Sequence, residues 1–465
     1  MHDGRGAPAP EASRAGTVKR RRRKPVVAMV SLGCAKNTVD AETMLGNIRD
    51  AGLRITSDPA EAEVIIVNTC GFLQAAREEA VETIREMASF RRLGRLKRII
   101  VTGCMADRDR GILESELDSD SDRFVSPFDH ETLVDVVMGN VPGQISVREP
   151  PEAFSEQILR RLPVTPVSYA YVKIADGCSN RCAYCRIPYL RGAYRSKPLD
   201  TVIGEVRELI AGGVREIDLI SQDTAMYGSE TAGPGDLAAL LDRLVELDDL
   251  GWVRLLYLHP MHVTERVLDR VAGLGTICKY LDLPIQHVDR GVLRRMNRSG
   301  SVGGIRRIFE TIRRRVPGIT IRTTLMTGYP GETIRAYREL RAFVEDGLAD
   351  HLGVFCFSPE PDTAAWKLHR TIESGLAEER RAELMQIQQG IVEKRNGELM
   401  GAMRVVLVDE CGEGGAVGRM ESQAPEVDAV VHLDRMIAPG TFVVARIEDA
   451  GPYDFFATVA DGPAR

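Results

Sequence analysis

Residues 169–195 read YAYVKIADGCSNRCAYCRIPYLRGAYR, a β-branched and aromatic run followed at once by Cys178, Cys182 and Cys185. Three soft thiolates on one short loop can grip one soft metal centre. The spacing, CxxxCxxC, departs from the paired CxxC units and fourth ligand of a tetrahedral zinc ribbon. A cubane iron-sulfur cluster normally takes four cysteines, and no fourth lies nearby in the sequence, so one iron would stay open to a small molecule. A structural zinc, or a group of thiols with no metal, is the competing reading.

Working outward, residues 168–357 alternate strand-like and helical runs. Strands are expected at Tyr169–Ile174, Glu216–Ile220, Val253–Tyr257, Lys279–Leu283, Ile319–Leu325 and Leu352–Phe357, with helical patterns between them such as Leu199–Ala211, Leu237–Glu246 and Thr333–Asp346. Six β/α units are too few for a closed eight-stranded barrel and predict an open, partial one. In such barrels chemistry gathers on loops after the strands. That rim should carry Ser221, Gln222 and Asp223, then His259, Gln286 and His287, and the glycine-rich run Thr327, Gly328, Tyr329, Pro330, Gly331, Glu332. Each is also an ordinary turn or capping residue.

Upstream, residues 25–150 alternate in the same way and predict a parallel sheet in an α/β domain, with helices near Thr38–Ala51 and Leu73–Phe90. Three apolar runs there end alike: PVVAMVSLGC at Cys34, EVIIVNTC at Cys70 and RIIVTGC at Cys104. Ligands collect beyond the carboxyl ends of parallel strands, so these cysteines can converge on a second three-thiolate site. Three unrelated core cysteines are the alternative, since cysteine is often buried.

The ends differ in charge. Eight basic and two acidic residues give residues 1–24 a net charge of +6, and their Ala, Gly, Pro and Arg content predicts a disordered arm, either a solvated leader or an RNA contact. After a long helix expected over Ile372–Met400, residues 401–465 read as a small all-β module with strands near 404–408, 415–420, 428–433, 442–447 and 455–459. Its five arginines face eleven acids, a net charge of −6 that should repel a phosphate backbone and attract a basic protein surface. At 465 residues the chain should form two to four domains, with nine cysteines too sparse for a disulfide scaffold. No apolar run reaches membrane length and no secretory signal is present, which makes the cytoplasm the expected compartment.

From about Val26 to Val459 the chain resembles the methylthiotransferases, radical S-adenosylmethionine (SAM) enzymes with two 4Fe-4S clusters. The segments SLGCAKNTVDAE (31–42), ADGCSNRCAYC (175–185), SQDTAMYG (221–228), DLPIQH (282–287), MNR (296–298), TTLMTGYPGET (323–333), FSPEPDTAA (357–365) and APEVDA (424–429) resemble the RimO-type branch, which modifies an aspartate of small-subunit ribosomal protein S-twelve. Cys356–Phe357 stands where a YSPE-like run is expected, and the basic leader is additional. The resemblance implies one cluster on Cys34, Cys70 and Cys104. It implies another, which binds and cleaves SAM, on Cys178, Cys182 and Cys185. Gln222, Asp223, Gln286, Thr327 and Gly328 would line the SAM pocket. Implied domains are a basic arm (1–24), a methylthiotransferase domain (25–150), a radical SAM core (151–400) and a TRAM domain (401–465). The implied partners are the ribosomal protein or small subunit and a flavodoxin-type electron donor. A related family branch modifies tRNA adenosine, and the acidic C-terminal module argues against that substrate.

Overall fold

The computed structural model describes residues 23–460, except 119, 142–149, 152–153, 155–159, 231–234 and 369–371. The expected basic arm, apart from Arg23 and Lys24, lies outside the described residues, as does much of the segment before the barrel.

Five parallel strands form the first sheet: β1 (Val26–Ser31), β2 (Arg54–Ile55), β3 (Val64–Thr69), β4 (Arg98–Gly103) and β5 (Arg123–Phe124), in the order β2-β1-β3-β4-β5. The central strand β3, VIIVNT, is buried at every position, the pattern of a parallel strand covered on both faces. Helices α1 (Ala35–Asp50) and α2 (Gln74–Ser89) follow β1 and β3, and α1 begins three residues earlier than expected. The edge strands β2 and β5 are two residues each, too short to leave a period in the sequence.

The second sheet starts at β6 (Tyr169–Lys173), and a two-stranded ribbon of β7 (Ala175–Asp176) and β8 (Arg195–Ser196) frames the cysteine loop. Then come β9 (Glu216–Ile220), β10 (Trp252–Leu255), β11 (Ile277–Asp282), β12 (Thr320–Thr327) and β13 (His351–Cys356). The order β13-β12-β11-β10-β9-β6 is sequential and parallel, so the barrel is open with six strands as expected. Strand β10 ends at Leu255, two residues early, where its register with β11 breaks and Tyr257 takes φ +60°. Strand β12 runs two residues past the expected Leu325 and takes in Thr327. A 24-residue helix, Ser374–Gly397, packs along β13 and β12 at the edge of the sheet.

The C-terminal module is a closed five-stranded barrel, β14 (Met403–Gly412), β15 (Gly415–Met420), β16 (Val430–Leu433), β17 (Phe442–Ala450) and β18 (Asp454–Val459), around its own apolar core. Composition alone overstated its acidic outer face. Glu426 accepts hydrogen bonds from the hydroxyls of Tyr169 and Tyr171 (3.0 Å each), and Asp428 takes Tyr280 and Arg322 (2.6 Å each). Glu421 accepts from the Lys279 amide (2.6 Å), and Asp409 pairs with Arg419 and Ser168. These four acids hold the module against the barrel.

Candidate functional site

Strands β1, β3 and β4 are neighbours, so their carboxyl ends lie side by side. Cys34 caps the start of α1, Cys70 directly follows β3, and Cys104 opens the short helix α3 (Cys104–Arg108) after β4. The approach is close. A Cβ on Gly33 would lie 2.7 Å from the Cys70 Cβ and 3.1 Å from its Sγ. Asn37 ties the three ends together: its amide donates to the carbonyls of Leu32 (2.9 Å) and Thr69 (3.1 Å), and its Oδ1 lies 4.0 Å from the Cys104 sulfur. Burial pushes the Cys70 thiol up to about 12, with the neighbouring cysteines adding to it. Burial raises Cys104 as well, against the pull of Arg191. Buried thiols that resist ionisation give up their protons when a metal centre supplies the missing positive charge.

Gly103 sets the last turn before Cys104. Its φ is +88°, and a Cβ would sit 2.3 Å from the Thr69 carbonyl oxygen. Gly103→Ala should therefore lower stability by about 2–4 kcal/mol and reduce metal loading on this trio. Thermal unfolding and iron analysis check this; an alanine variant with unchanged melting and iron content refutes it.

The second trio sits on the loop after β7. Cys178 donates its amide to the Gly192 carbonyl (3.1 Å) and Cys185 to that of Cys182 (3.0 Å). The loop is clamped from the barrel: Ala183 N donates to Met296 O (2.9 Å), Asn297 to Arg181 O (2.9 Å) and Asn180 to Asp223 Oδ2 (2.8 Å). Arg298 reaches the Cys182 sulfur (3.6 Å) and the Tyr184 hydroxyl (3.4 Å). Burial raises Cys178 to about 11 and Cys185 to about 12.

Among the described residues, no three His, Cys, Asp or Glu side chains close on one point as a single-ion site. A cubane takes each of three cysteines on a different iron and leaves the fourth open. The donor chemistry of both trios, all free cysteines, fits such a cluster.

A buried polar network joins the two trios. Arg191, one residue before the carbonyl that receives Cys178, donates to Asn37 Oδ1 (2.9 Å), Asp40 (2.8 Å) and Asp176 (3.4 Å). Lys173 bridges the same two acids, and Arg186 joins Gly71 O (2.7 Å) to a fork on Asp109. Asn37, Asn180, Arg191 and Arg298 escaped the sequence reading, although Asn37, Asn180 and Arg298 stand inside the segments SLGCAKN, ADGCSNRCAYC and MNR and Arg191 inside the stretch 169–195.

The expected pocket residues divide. Gln222 donates to Asp176 Oδ1 (3.1 Å), and its own Oε1 is buried without a partner, a free acceptor at the rim. Asp223 holds Asn180, the His259 amide (3.1 Å) and His262 Nδ1 (2.7 Å); burial raises its carboxyl, but these hydrogen bonds outweigh it and leave it lowered. Gln286, at φ +68°, exchanges backbone hydrogen bonds with Thr324 and Met326 and so anchors its loop to β12. His287 is buried, and burial lowers it to about 4, so it is neutral. Thr327 and Gly328 pack on the long helix: the Thr327 hydroxyl donates to Ala377 O (3.0 Å), and a Cβ on Gly328 would lie 2.6 Å from Ala377 Cβ.

Family models match three stretches: Uncharacterized protein family UPF0004 at 26–123, the Radical SAM superfamily at 172–344 and the TRAM domain at 400–460. In overall fold the chain is similar to the radical S-adenosylmethionine methyltransferase TsrM of Kitasatospora setae (TM-score 0.52, 18% identity, 73% of this chain and 76% of that one). It is also similar to the cobalamin-dependent S-adenosylmethionine radical enzyme OxsB (TM-score 0.51, 11% identity, 80% and 56%). A partial barrel whose first strand feeds a CxxxCxxC loop, capped by a TRAM module, is a radical SAM enzyme, a class that implies SAM and one 4Fe-4S cluster. Full-length relatives narrow the class. The ribosomal protein uS12 methylthiotransferase RimO of Geobacter sulfurreducens is 40% identical over 442 residues, 94% of this chain and 99% of that protein. The RimO proteins of Heliobacterium modesticaldum (39%, covering 94% and 95%) and Syntrophus aciditrophicus (39%, covering 95% and 100%) match as widely. The chain belongs to the RimO family of radical SAM methylthiotransferases.

Proposed function

We propose that this enzyme adds a methylthio group to the β-carbon of an aspartate in ribosomal protein uS12. It would use SAM and two 4Fe-4S clusters, one on Cys178, Cys182 and Cys185 and an auxiliary one on Cys34, Cys70 and Cys104. The observation that supports the reading is Arg191, which follows the second trio's loop and donates to Asn37 and Asp40 on the helix that begins after Cys34. An aliphatic C–H is not acidic, so no side chain can remove its hydrogen as a proton; when bound, the clusters and SAM supply the one-electron and sulfur-transfer chemistry. The protein's own residues supply position. Asn180, Asn297 and Arg298 fix the second trio's loop, Asn37 fixes the first trio, and Gln222 presents an unfilled acceptor to a polar ligand at the rim. The needed electron comes from outside the chain, for which a flavodoxin-type protein of the cytoplasm is suited. Among the described residues no helix is long and apolar enough to cross a membrane.

Anaerobic reconstitution should load about eight irons per chain, since each cubane carries four. Incubation with SAM, dithionite and a peptide from the uS12 aspartate loop should then give a product heavier by one methylthio group in place of hydrogen. Mass spectrometry of the peptide, run beside tRNA from the same incubation, is the test. Methylthio-adenosine in the tRNA with an unmodified peptide would overturn the assignment.

A further inference from the structure

Lys36 lies in the first turn of α1, two residues after Cys34 and 8% exposed, with its Nζ 3.1 Å from the centroid of the Tyr257 ring. Among the described residues it has no hydrogen bond and no ion pair beyond that ring contact. An ammonium has three donors, and hiding it without an acceptor is costly. The barrel rim opposite is equally incomplete. Tyr257 holds φ +60°, a left-handed backbone that a tyrosine adopts only under constraint, and its amide donates to Asp282 Oδ2 (3.1 Å). Asp282 is 5% exposed, and its other oxygen, Oδ1, has no partner. The start of α1 carries no acidic residue in its first turn and no side-chain cap, so its partial positive charge also favours an anion.

The neighbouring charges narrow the ligand. Asp176 is already matched by Lys173 and Arg191, and Arg191 adds a second positive charge near Lys36. Burial raises the Asp282 carboxyl, against the pull of Arg322, the Tyr257 amide and Lys36. A buried ammonium with no hydrogen-bonded partner, at a helix start and with Arg191 close by, is complementary to a small carboxylate. The place is also the right one: Lys36 shares a helical turn with Cys34, while Tyr257 follows β10 and Asp282 ends β11 on the rim that carries Gln222.

We propose that Lys36, against Tyr257 and Asp282, binds the side-chain carboxylate of the substrate aspartate and so holds its β-carbon between the two cysteine trios. This rests on the aspartate reading above. It makes Lys36 a residue that selects an aspartate over its amide.

The test uses anaerobically reconstituted protein and two fluorescent peptides of the uS12 loop, identical except for Asp or Asn at the modified position, with binding read by anisotropy. Wild-type protein should prefer the Asp peptide by roughly tenfold to a hundredfold, the range of one charge-assisted hydrogen bond. Lys36→Met should erase the preference by weakening the Asp peptide alone, and Lys36→Arg should keep most of it. Absence of preference in the wild type, or a preference that survives Lys36→Met, overturns the assignment; so does equal weakening of both peptides, which marks a structural role. Methylthiolation on the same samples separates the two ideas. Discrimination through Lys36 without any transfer would overturn the aspartate modification and uphold the carboxylate site.

Discussion

Alanine at Cys182 should reduce SAM cleavage to background, whereas alanine at Cys70 should leave cleavage intact and stop sulfur insertion. The two sulfurs occupy separate supports. Cys182 faces Arg298, whose guanidinium also reaches Tyr184 and the Pro284 carbonyl (2.7 Å), so its thiolate belongs to the barrel side of the seam. Cys70 closes β3, and the tie from that strand end to the cysteine loop runs through a backbone atom, the Gly71 carbonyl bound by Arg186. Removing the Cys70 sulfur therefore leaves the Arg186 bridge and the second loop in place. The Cys70→Ala protein should retain about four irons per chain, those of the second trio. Measuring 5'-deoxyadenosine and methylthio-peptide in one reaction separates the outcomes. Sulfur insertion by Cys70→Ala, or SAM cleavage by Cys182→Ala, would refute this division of roles.

The strand ends that carry the cysteines were readable from sequence because each rests on a local rule. Three apolar runs ending in cysteine become adjacent parallel strands, and side-by-side ends bring Cys34, Cys70 and Cys104 together. The partial barrel was legible for the same reason, six runs at βα spacing. What failed needed knowledge of the third dimension. Thr327 was read as a rim residue because β12 was ended at Leu325; two further residues of pairing with β13 carry it under the long helix. Arg191, Asp40, Lys173 and Asp176 belong to one network, but they come from different elements and share no period. Composition summed Asp409, Glu421, Glu426 and Asp428 into an acidic surface because it cannot tell which acids find a partner inside the chain. The case against tRNA that rested on that surface is correspondingly weaker, and the family relationship now supports the protein substrate.

Replacing Glu216 should cost the fold about 3–5 kcal/mol, the penalty for stranding a buried charge. Glu216, at the start of β9, has no exposed side-chain area; one oxygen takes Arg254 Nε (2.7 Å) and the other lies 2.8 Å from Arg419 of the C-terminal barrel. Burial works to raise its carboxyl, and the two guanidiniums overcome this and hold it below the usual carboxylate range. Asp218, two residues on and equally buried, is pushed well above its ordinary value, first by burial and then by the Glu216 charge. The pair therefore shares its work unequally: the guanidiniums favour the anion at Glu216, and burial favours the proton on Asp218. Glu216→Gln would leave Arg254 with Asp218 at 3.5 Å and the Glu421 carbonyl at 2.6 Å, while Arg419 keeps its fork on Asp409. Loss of the Glu216 charge brings the Asp218 carboxyl down toward its ordinary value, so the variant should lose less stability than wild type as pH rises. Asp218→Asn, by contrast, swaps one neutral group for another and should shift stability by less than about 1 kcal/mol near neutral pH. The sign follows from linkage. A raised carboxyl binds its proton more tightly in the folded state, so its favourable contribution is present at low pH and lost as pH climbs through the folded value. Urea unfolding of the two variants across neutral pH tests this: equal losses for Glu216→Gln and Asp218→Asn would show that the charge is not carried by Glu216. Because Arg419 is the partner on β15, limited proteolysis of Glu216→Gln should also release the C-terminal barrel sooner than wild type, which links this buried charge to the hold of the TRAM module on the barrel.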